Sequence, residues 1–318
     1  MSRAPAVSVL MTSYNRERYI AAAIESVLSQ RFPDFELVIT DNCSTDGTLA
    51  IAQRYAAIDP RIRLTVNERN LGQFGNRNRA ASLARGRYLK YHDSDDLMYP
   101  HCLEMMVPLL EQHPAAGFAL SAARPWSGGP VPMLLSPQQA YEREYLGFGL
   151  FMGGPACGLY RAETFGALGG FPEEGVFSDH LFLMKACAHY PVLLVPADLF
   201  WYRLHEGQEF ASKNVAQEYA RLPGYVWRML SSDENPLSPT QTEAARHTFA
   251  WNVAKQTWRD LRARRLALAA YRLRHTGLTV ADWARYFRRP SRSALAGTPV
   301  SSDGEALTPD WVRLPGRR

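Results

Sequence analysis

The chain has 318 residues, 46% of them hydrophobic, and a formal net charge of +5 at neutral pH. This is an ordinary soluble composition, long enough for one large domain or two fused halves with a substantial core. The four widely spaced cysteines form no CxxC pair, which argues against a disulfide framework and a zinc site. With no secretory h-region and no apolar run long enough to span a bilayer, we expect a cytoplasmic protein.

Strands and helices alternate over the first hundred residues. Apolar runs predict strands at residues 7–11, 35–40, 62–67 and 87–92. Helical spacing predicts helices at residues 16–30, with Asn15 as the N-cap, and at residues 48–57 and 75–86. Alternation of this kind predicts right-handed crossovers and an α/β fold with a mainly parallel sheet.

Polar clusters begin where three of these strands stop, at residues 12–15, 41–46 and 93–96. The carboxyl ends of parallel strands meet at one sheet edge, where such sheets bind ligands. The cluster HDSDD (92–96) is unusual because its like charges repel one another. These carboxylates either face solvent in a turn or share a cation, for which Mg²⁺ or Mn²⁺ would suit their hard oxygen ligands.

Two common nucleotide-binding motifs are missing from the sequence. No GxGxxG follows the first strand, and no GxxxxGK[ST] occurs anywhere. The sequence therefore shows neither the dinucleotide-binding motif nor the P-loop motif. The predicted sheet must therefore hold its ligand by other means.

Four stretches together resemble the nucleotide-binding half of family 2 glycosyltransferases, which have the GT-A fold. They are VSVLMTSYN, FELVITDNCSTDGT, NLGQFGNRN and GRYLKYHDSDD. The resemblance holds good register from Val7 to about Pro100 and is looser to about residue 215. It implies a Rossmann-like mixed sheet flanked by helices, a nucleotide-sugar donor, and a DxD site for a divalent metal, Mn²⁺ or Mg²⁺.

By this resemblance, Thr12, Tyr14, Asp41, Asn42 and Asn78 bind the donor. Tyr14 would stack on the base, and Asp41 and Asn42 would contact base and ribose. Position 42 is often Asp in the family, and an amide donates hydrogen bonds that a carboxylate cannot. Asn70 and Gly72 belong to the same NxG…N stretch as Asn78.

The resemblance also implies the metal and catalytic residues. Asp93 and Asp95 match the DxD signature, with Asp95 the direct metal ligand and Asp93 oriented toward the sugar nucleotide. In FSDHLFLMKA, Asp179 matches the general base of an inverting transfer, while Ser178 replaces the usual first acid. A first-turn helical Asp is also stabilised by the helix dipole without any catalytic role. His205, in WYRLHEG, would reach the metal or the diphosphate, and Arg203 would pair with phosphate.

The C-terminal part is helical and basic. From residue 255 onward there are 14 Lys/Arg against 5 Asp/Glu, which leaves about −4 for the preceding chain. We expect Trp251 and Trp258 to pack in a core. The arginine run is compatible with a solvated face or with a basic amphipathic helix on anionic lipid, at the inner face of the membrane; no nucleic-acid module accompanies it.

The predicted organisation is a nucleotide-sugar half (residues 1–120), an acceptor half (121–215), a helical region (216–285) and a flexible basic tail (286–318). The predicted activity is inverting transfer from a nucleotide-diphospho-sugar, UDP-sugar favoured, to a hydroxyl of a glycan, lipid-linked or other acceptor. Two rivals remain: a nucleotidyltransferase that makes sugar nucleotides, and a non-catalytic module that binds them. The sequence does not fix the oligomeric state.

Overall fold

The computed structural model describes residues 3–121, 131–147, 149–151, 154–197, 199–205 and 215–286. The strands are β1 (Val7–Ser13), β2 (Phe35–Asp41), β3 (Ile62–Val66), β4 (Tyr88–Tyr91), β5 (Leu97–Met98), β6 (Phe118–Ser121), β7 (Met133–Leu135), β8 (Gly158–Arg161), β9 (Val192–Val195) and β10 (Phe200–Trp201). The predicted tail lies outside the described residues from 287 onward.

Twelve α-helices lie in the described part of the chain. They are α1 (Ile20–Leu28), α2 (Thr48–Ile58), α3 (Gly72–Leu83), α4 (Cys102–Gln112), α5 (Pro137–Leu146), α6 (Ala162–Ala167), α7 (Ser178–His189), α8 (Val215–Tyr219), α9 (Leu222–Leu230), α10 (Pro239–Arg262), α11 (Leu266–His275) and α12 (Val280–Tyr286). A 3₁₀ turn, Pro155–Cys157, precedes β8.

Eight strands form one mixed sheet in the order β3-β2-β1-β4-β8-β6-β9-β7. β1 to β4 are mutually parallel, β9 is parallel to β6, and β8 and β7 run antiparallel to their neighbours. β1, β2 and β4 are almost wholly buried, because helices cover both faces of a parallel sheet. The predicted α/β fold with a mixed, mainly parallel sheet is confirmed.

The chain changes direction across the sheet at β1. It first moves outward through β2 and β3, and then returns to place β4 on the other side of β1. Such a switch point opens a crevice at the carboxyl ends of the strands. The turn after β1 and the acidic turn after β4 therefore lie beside each other.

A two-stranded antiparallel ribbon adds a second layer over this crevice. Met98 of β5 pairs with Phe200 of β10, and Leu97 pairs with Trp201. The ribbon brings residues 202–205, distant in sequence, next to the acidic turn that ends at β5.

Two apolar layers enclose the sheet. One contains side chains such as Val9, Leu37 and Met106, and the other contains Leu10, Leu89 and Phe118. The second layer continues into the C-terminal helices through Val226 and Ala245. These helices therefore share the apolar layer that covers this face of the sheet.

Two local expectations are wrong, and the bounds of one helix differ from the prediction. Asn15 does not cap the first helix: it adopts a left-handed backbone with φ 52°, and α1 begins only at Ile20, after Tyr19. Trp258 does not pack in a core, because 62% of it is exposed. The helix predicted at residues 75–86 begins earlier, at Gly72, and ends at Leu83.

No described helix combines the length and the apolar character needed to cross a lipid bilayer.

Candidate active site

The acidic turn after β4 is held by cationic side chains. Asp95 Oδ2 accepts a hydrogen bond from Arg16 Nε at 2.9 Å and lies 3.0 Å from His205 Nε2. Asp93 Oδ1 accepts from an Arg77 guanidinium nitrogen at 2.6 Å. The repulsion expected of clustered aspartates is thus offset by two arginines, which come from the loop after β1 and from α3.

Arg16 and Arg77 were not among the predicted site residues. Arg77 is 5% exposed although it is an arginine, and burial of such a charge is tolerated only beside an opposite charge. Both arginines stand next to motifs that the sequence analysis identified: Arg77 precedes Asn78 in NRN, and Arg16 follows the turn SYN. No sequence rule paired either residue with a particular aspartate.

Asp96 is the most buried acid of the turn, at 1% exposure. Burial, together with the nearby charges of Asp93 and Asp95, raises the pKa of Asp96 to about 7. Its Oδ1 accepts the Arg203 backbone N–H at 2.9 Å, and Arg203 Nε donates to the Asp95 carbonyl at 2.8 Å. These bonds fasten the strand-end segment 203–205 onto the acidic turn.

Asp179 occupies the first turn of α7. Its Oδ1 accepts the His180 backbone N–H at 2.8 Å. Burial raises the pKa of Asp179 to about 6, the Arg77 cation lowers it in part, and the Asp93 charge raises it further. Asp179 therefore lies within electrostatic range of Arg77 and Asp93.

Ser178 stands where, by the resemblance, an acid usually precedes the catalytic aspartate. In this structure it makes hydrogen bonds within the turn before α7. It is fully buried, its hydroxyl donates to the Gly175 carbonyl at 2.7 Å, and it accepts the Glu174 N–H at 3.1 Å. Its hydroxyl closes the turn that leads into α7. A carboxylate here could not donate to that carbonyl.

The predicted donor residues of β1 lie at the crevice edge. Thr12 accepts the Ser94 hydroxyl on its carbonyl at 2.8 Å, which ties β1 to the acidic turn. Tyr14 follows the strand and is 45% exposed. An exposed aromatic ring at this place is available for stacking.

Asp41 and Asn42 make mostly internal contacts. Asp41 accepts the Ser44 backbone N–H at 2.9 Å and hydroxyl at 2.6 Å, and the Ser13 hydroxyl at 3.1 Å. The Asn42 amide nitrogen donates to Asn70 Oδ1 at 2.8 Å and to the Gly72 carbonyl at 3.3 Å.

The Asn42 amide oxygen is equally engaged. It accepts from Asn67 Nδ2 at 3.0 Å and from the Leu71 backbone N–H at 2.8 Å. Two donors and two acceptor positions are all that a carboxamide offers. In this arrangement Asn42 therefore shapes the loop before α3.

The Asn78 side chain also makes a structural contact. It donates to the Phe171 carbonyl at 2.8 Å and accepts the Phe171 N–H at 2.9 Å. The preceding Gly170 has φ +74°, and a Cβ there would lie 2.7 Å from Asn78 Oδ1. Asn78 thus clamps α3 to the loop before α7 and does not join the acidic turn.

The predicted metal set is assembled only in part. Among the described residues, no three His, Cys, Asp or Glu side chains gather in a group that could hold an ion. Asp95 and His205 do meet, with Oδ2 and Nε2 3.0 Å apart, whereas Asp93 turns to Arg77. A carboxylate oxygen and an imidazole nitrogen are both ligand atoms for divalent metals, so these two residues would hold such an ion together with ligands from outside the protein.

An aromatic cavity of about 370 Å³ adjoins the crevice. Its lining includes Tyr99, Cys157, Phe200, Trp201 and Tyr202. Burial raises the pKa of Cys157 to about 11, and the charges of the aspartates at 93, 179 and 96 contribute. The cavity wall at Cys157 is therefore close to the carboxylates.

The sequence match to a known protein family covers the acidic turn but not Asp179 or His205. The family model described as Glycosyl transferase family 2 matches residues 8–169. EpsE of Bacillus subtilis (strain 168) is 46% identical over 114 residues, which are 36% of this chain and 41% of EpsE.

A second relative is named for its reaction. The UDP-Glc:alpha-D-GlcNAc-diphosphoundecaprenol beta-1,3-glucosyltransferase WfgD of Escherichia coli is 39% identical over 104 residues, which are 33% of this chain and 40% of WfgD. The chain thus spans less than half the length of these two relatives.

Solved structures share the fold. The mannosyltransferase PcManGT from Pyrobaculum calidifontis, in complex with GDP-Man and Mn²⁺, superposes with a TM-score of 0.60 at 20% identity, covering 89% of this chain and 79% of that one. Since the identity is low, this likeness concerns the fold alone.

Proposed function

Because the family model covers half of the chain, the protein belongs to the family 2 glycosyltransferases, and we propose that it transfers a sugar from a nucleotide-diphospho-sugar to an acceptor hydroxyl with inversion. The observation that carries this proposal is the placement of Asp179, with its raised pKa, within electrostatic reach of Asp93 and Arg77. The product would be a glycan or glycoconjugate.

In the proposed reaction Asp179 is the general base. It takes the proton of the acceptor hydroxyl as that oxygen attacks the anomeric carbon, and the bond from that carbon to the diphosphate oxygen breaks on the opposite face. A carboxylate with a pKa of about 6 is ionised at neutral pH and is more basic than an ordinary aspartate. An ionised carboxylate of raised basicity supports this role.

The diphosphate would be held at the acidic turn. Asp95 and His205 would bind the divalent ion, Mn²⁺ or Mg²⁺, which when bound would neutralise the departing diphosphate. Arg16, already 2.9 Å from Asp95, would bring a further positive charge. Asp93 would orient the sugar, and its bond to Arg77 would fix its rotamer.

The nucleoside would lie along the ends of β1 and β2. Tyr14 would stack on the base, with Thr12 and Asp41 lining the same edge. We propose that Asn42 and Asn78 act by positioning backbone around the nucleotide, since their amides are engaged with protein partners. A UDP-sugar is favoured; the names of relatives include both UDP-Glc and GDP-Man.

The acceptor would enter from the aromatic cavity. Exposed aromatic faces such as Trp201, 43% exposed, stack on the apolar face of a sugar ring. The volume of about 370 Å³ is near the lower end of ligand pockets and suits a single sugar unit. Residues 1–120 would then bind the donor and residues 121–215 the acceptor.

A panel of nucleotide-sugars with Mn²⁺ or Mg²⁺, scored by thermal shift, tests the donor. A ligand at about 100 times its Kd stabilises the folded form by about 2.7 kcal/mol, which raises Tm by several degrees. The proposal requires one sugar nucleotide to give a metal-dependent shift and to release nucleoside diphosphate when acceptor is added.

Two other outcomes would replace the proposal. Release of pyrophosphate from a nucleoside triphosphate and a sugar phosphate would identify a nucleotidyltransferase. Metal-dependent donor binding without hydrolysis or transfer to any acceptor would identify a binding module.

A further inference from the structure

The corner between α10 and α11, here residues 255–267, exposes large apolar side chains. Trp258 is 62% exposed, Leu261 is 40% exposed and Leu266 is 65% exposed. Trp258 and Leu261 are three residues apart on α10 and thus lie on neighbouring turns of one surface. Exposed apolar side chains that lie together, unlike those scattered singly, mark interaction surfaces.

The same corner carries unopposed positive charge. Its exposed basic residues are Lys255, Arg259, Arg262, Arg264 and Arg265. The only acid between residues 255 and 275 is Asp260. Asp260 is 2% exposed and pairs with Arg272 at 3.1 Å. The surface of the corner therefore mixes basic and apolar groups without an exposed carboxylate.

The corner is rigidly built. The Asp260–Arg272 pair ties α10 to α11, and the Arg265 N–H donates to the Asp260 carbonyl at 2.8 Å. Between the helices Arg264 adopts φ 57°, a left-handed conformation that glycine adopts at no cost. Glycine would adopt this conformation with less strain than arginine.

We propose that the α10–α11 corner docks the protein on the surface of an anionic lipid bilayer. Trp258 would sit at headgroup depth, Leu261 and Leu266 would enter the acyl boundary, and the arginines would pair with lipid phosphates. A nucleic acid would use the charge but not the exposed leucines, which favours the bilayer. The role of docking rests on the proposed function, because it would bring the enzyme to a lipid-carried acceptor; the binding itself requires no catalysis.

Vesicle co-sedimentation of the full chain tests the proposal directly. Phosphatidylglycerol mixed into phosphatidylcholine vesicles should retain the protein, and pure phosphatidylcholine should retain much less. Arg262→Gln/Arg265→Gln should lower the partition coefficient on the order of thirtyfold, from about fivefold for each basic residue near the surface. The matched control Arg54→Gln/Arg79→Gln removes the same charge from exposed positions on α2 and α3 and should change binding little.

The apolar contribution is tested separately. Trp258→Gln should weaken binding to phosphatidylglycerol vesicles even at about 1 M salt, where surface electrostatics are screened. The control Ile58→Gln alters an exposed apolar residue of α2, 82% exposed, and should bind like the parent. Circular dichroism must show the same helix content in all variants.

Arg264→Gly separates binding from folding. Glycine relieves the left-handed backbone, so Tm should rise while vesicle binding falls; an arginine that serves only the fold would give no loss of binding. The proposal is overturned if the parent protein does not bind phosphatidylglycerol vesicles or if the corner variants bind them as well as their controls do. It is also overturned if the protein binds duplex DNA but not vesicles at the same salt concentration. Donor thermal shifts are measured independently, so failure here leaves the proposed transfer untouched.

Discussion

Replacing Asp179 with asparagine should weaken catalysis and strengthen the fold at the same time. The asparagine keeps the shape of the side chain but cannot accept the acceptor proton, so kcat/KM should fall by about 10²–10⁴-fold. The carboxylate of the parent is ionised in a buried place, where its pKa is raised from 3.8 to about 6. That difference corresponds to up to about 3 kcal/mol, reduced by solvent screening.

The sign of the stability effect depends on pH. Below about pH 3 the carboxyl is protonated in both the folded and the unfolded chain, so Asp179→Asn should match the parent in stability. Between about pH 4 and pH 6 the unfolded chain has lost this proton while the folded chain retains it, and the parent loses stability as pH rises. Above pH 6 the variant should be more stable by a constant amount.

Urea unfolding at about pH 3 and pH 8 measures this difference, and steady-state transfer across pH 6 measures catalysis. The kcat/KM of the parent should rise with pH through about 6, as Asp179 ionises. Glu163→Gln is the control, because Glu163 is another first-turn acid, on α6, and is exposed; it should lose only a few tenths of a kcal/mol. An Asp179→Asn variant with at least a tenth of the parent rate would refute the base assignment.

Three further predictions concern the metal pair, the loop and the aromatic cavity. His205→Ala should lose the Mn²⁺-dependent part of the UDP thermal shift, since it removes one of two proposed ligands; an unchanged shift would count against the site. Asn42→Asp should destabilise the fold by about 2–4 kcal/mol in urea, because a carboxylate cannot donate to Asn70 and Gly72, and stability should recover as acid protonates it. Trp201→Ala should raise the acceptor KM about tenfold with the donor KM unchanged, whereas Ile58→Ala should alter neither.

Neighbouring residues lower the net negative charge of the acidic turn. Three aspartates in four positions would repel one another, yet the structure supplies Arg16 and Arg77 as counter-charges and raises the pKa of Asp96 to about 7. The turn thus carries less negative charge than its composition indicates. A diphosphate can approach it without meeting three full carboxylates.

Part of the candidate site could be predicted from local sequence patterns. The end of each strand in the first half carries its own polar cluster, and parallel strands bring such ends to one edge whatever the packing details. Asp93, Asp95 and the β1 turn were therefore predicted to be neighbours before any coordinates. Asp179 was readable only through the family resemblance, since a first-turn Asp has a sufficient structural explanation.

Other structural features could not be predicted from local sequence patterns. β5 and β10 are two residues each and about a hundred residues apart, and no periodicity can be read from two residues. Their pairing delivers His205 to Asp95. The corner Trp258 was predicted to be buried because aromatic residues in helices usually are, and only the packing of α10 against its neighbours left it exposed.

The sequence by itself determined the alternation of strands and helices and the edge where the polar clusters meet, because hydrophobic period and strand direction are local properties. The tertiary structure alone decided which cation faces which aspartate, that the Asn42 amide supports a loop, and that the Arg77 charge acts on Asp179. These are properties of burial and distance between segments far apart in the chain, where charge and desolvation set each pKa.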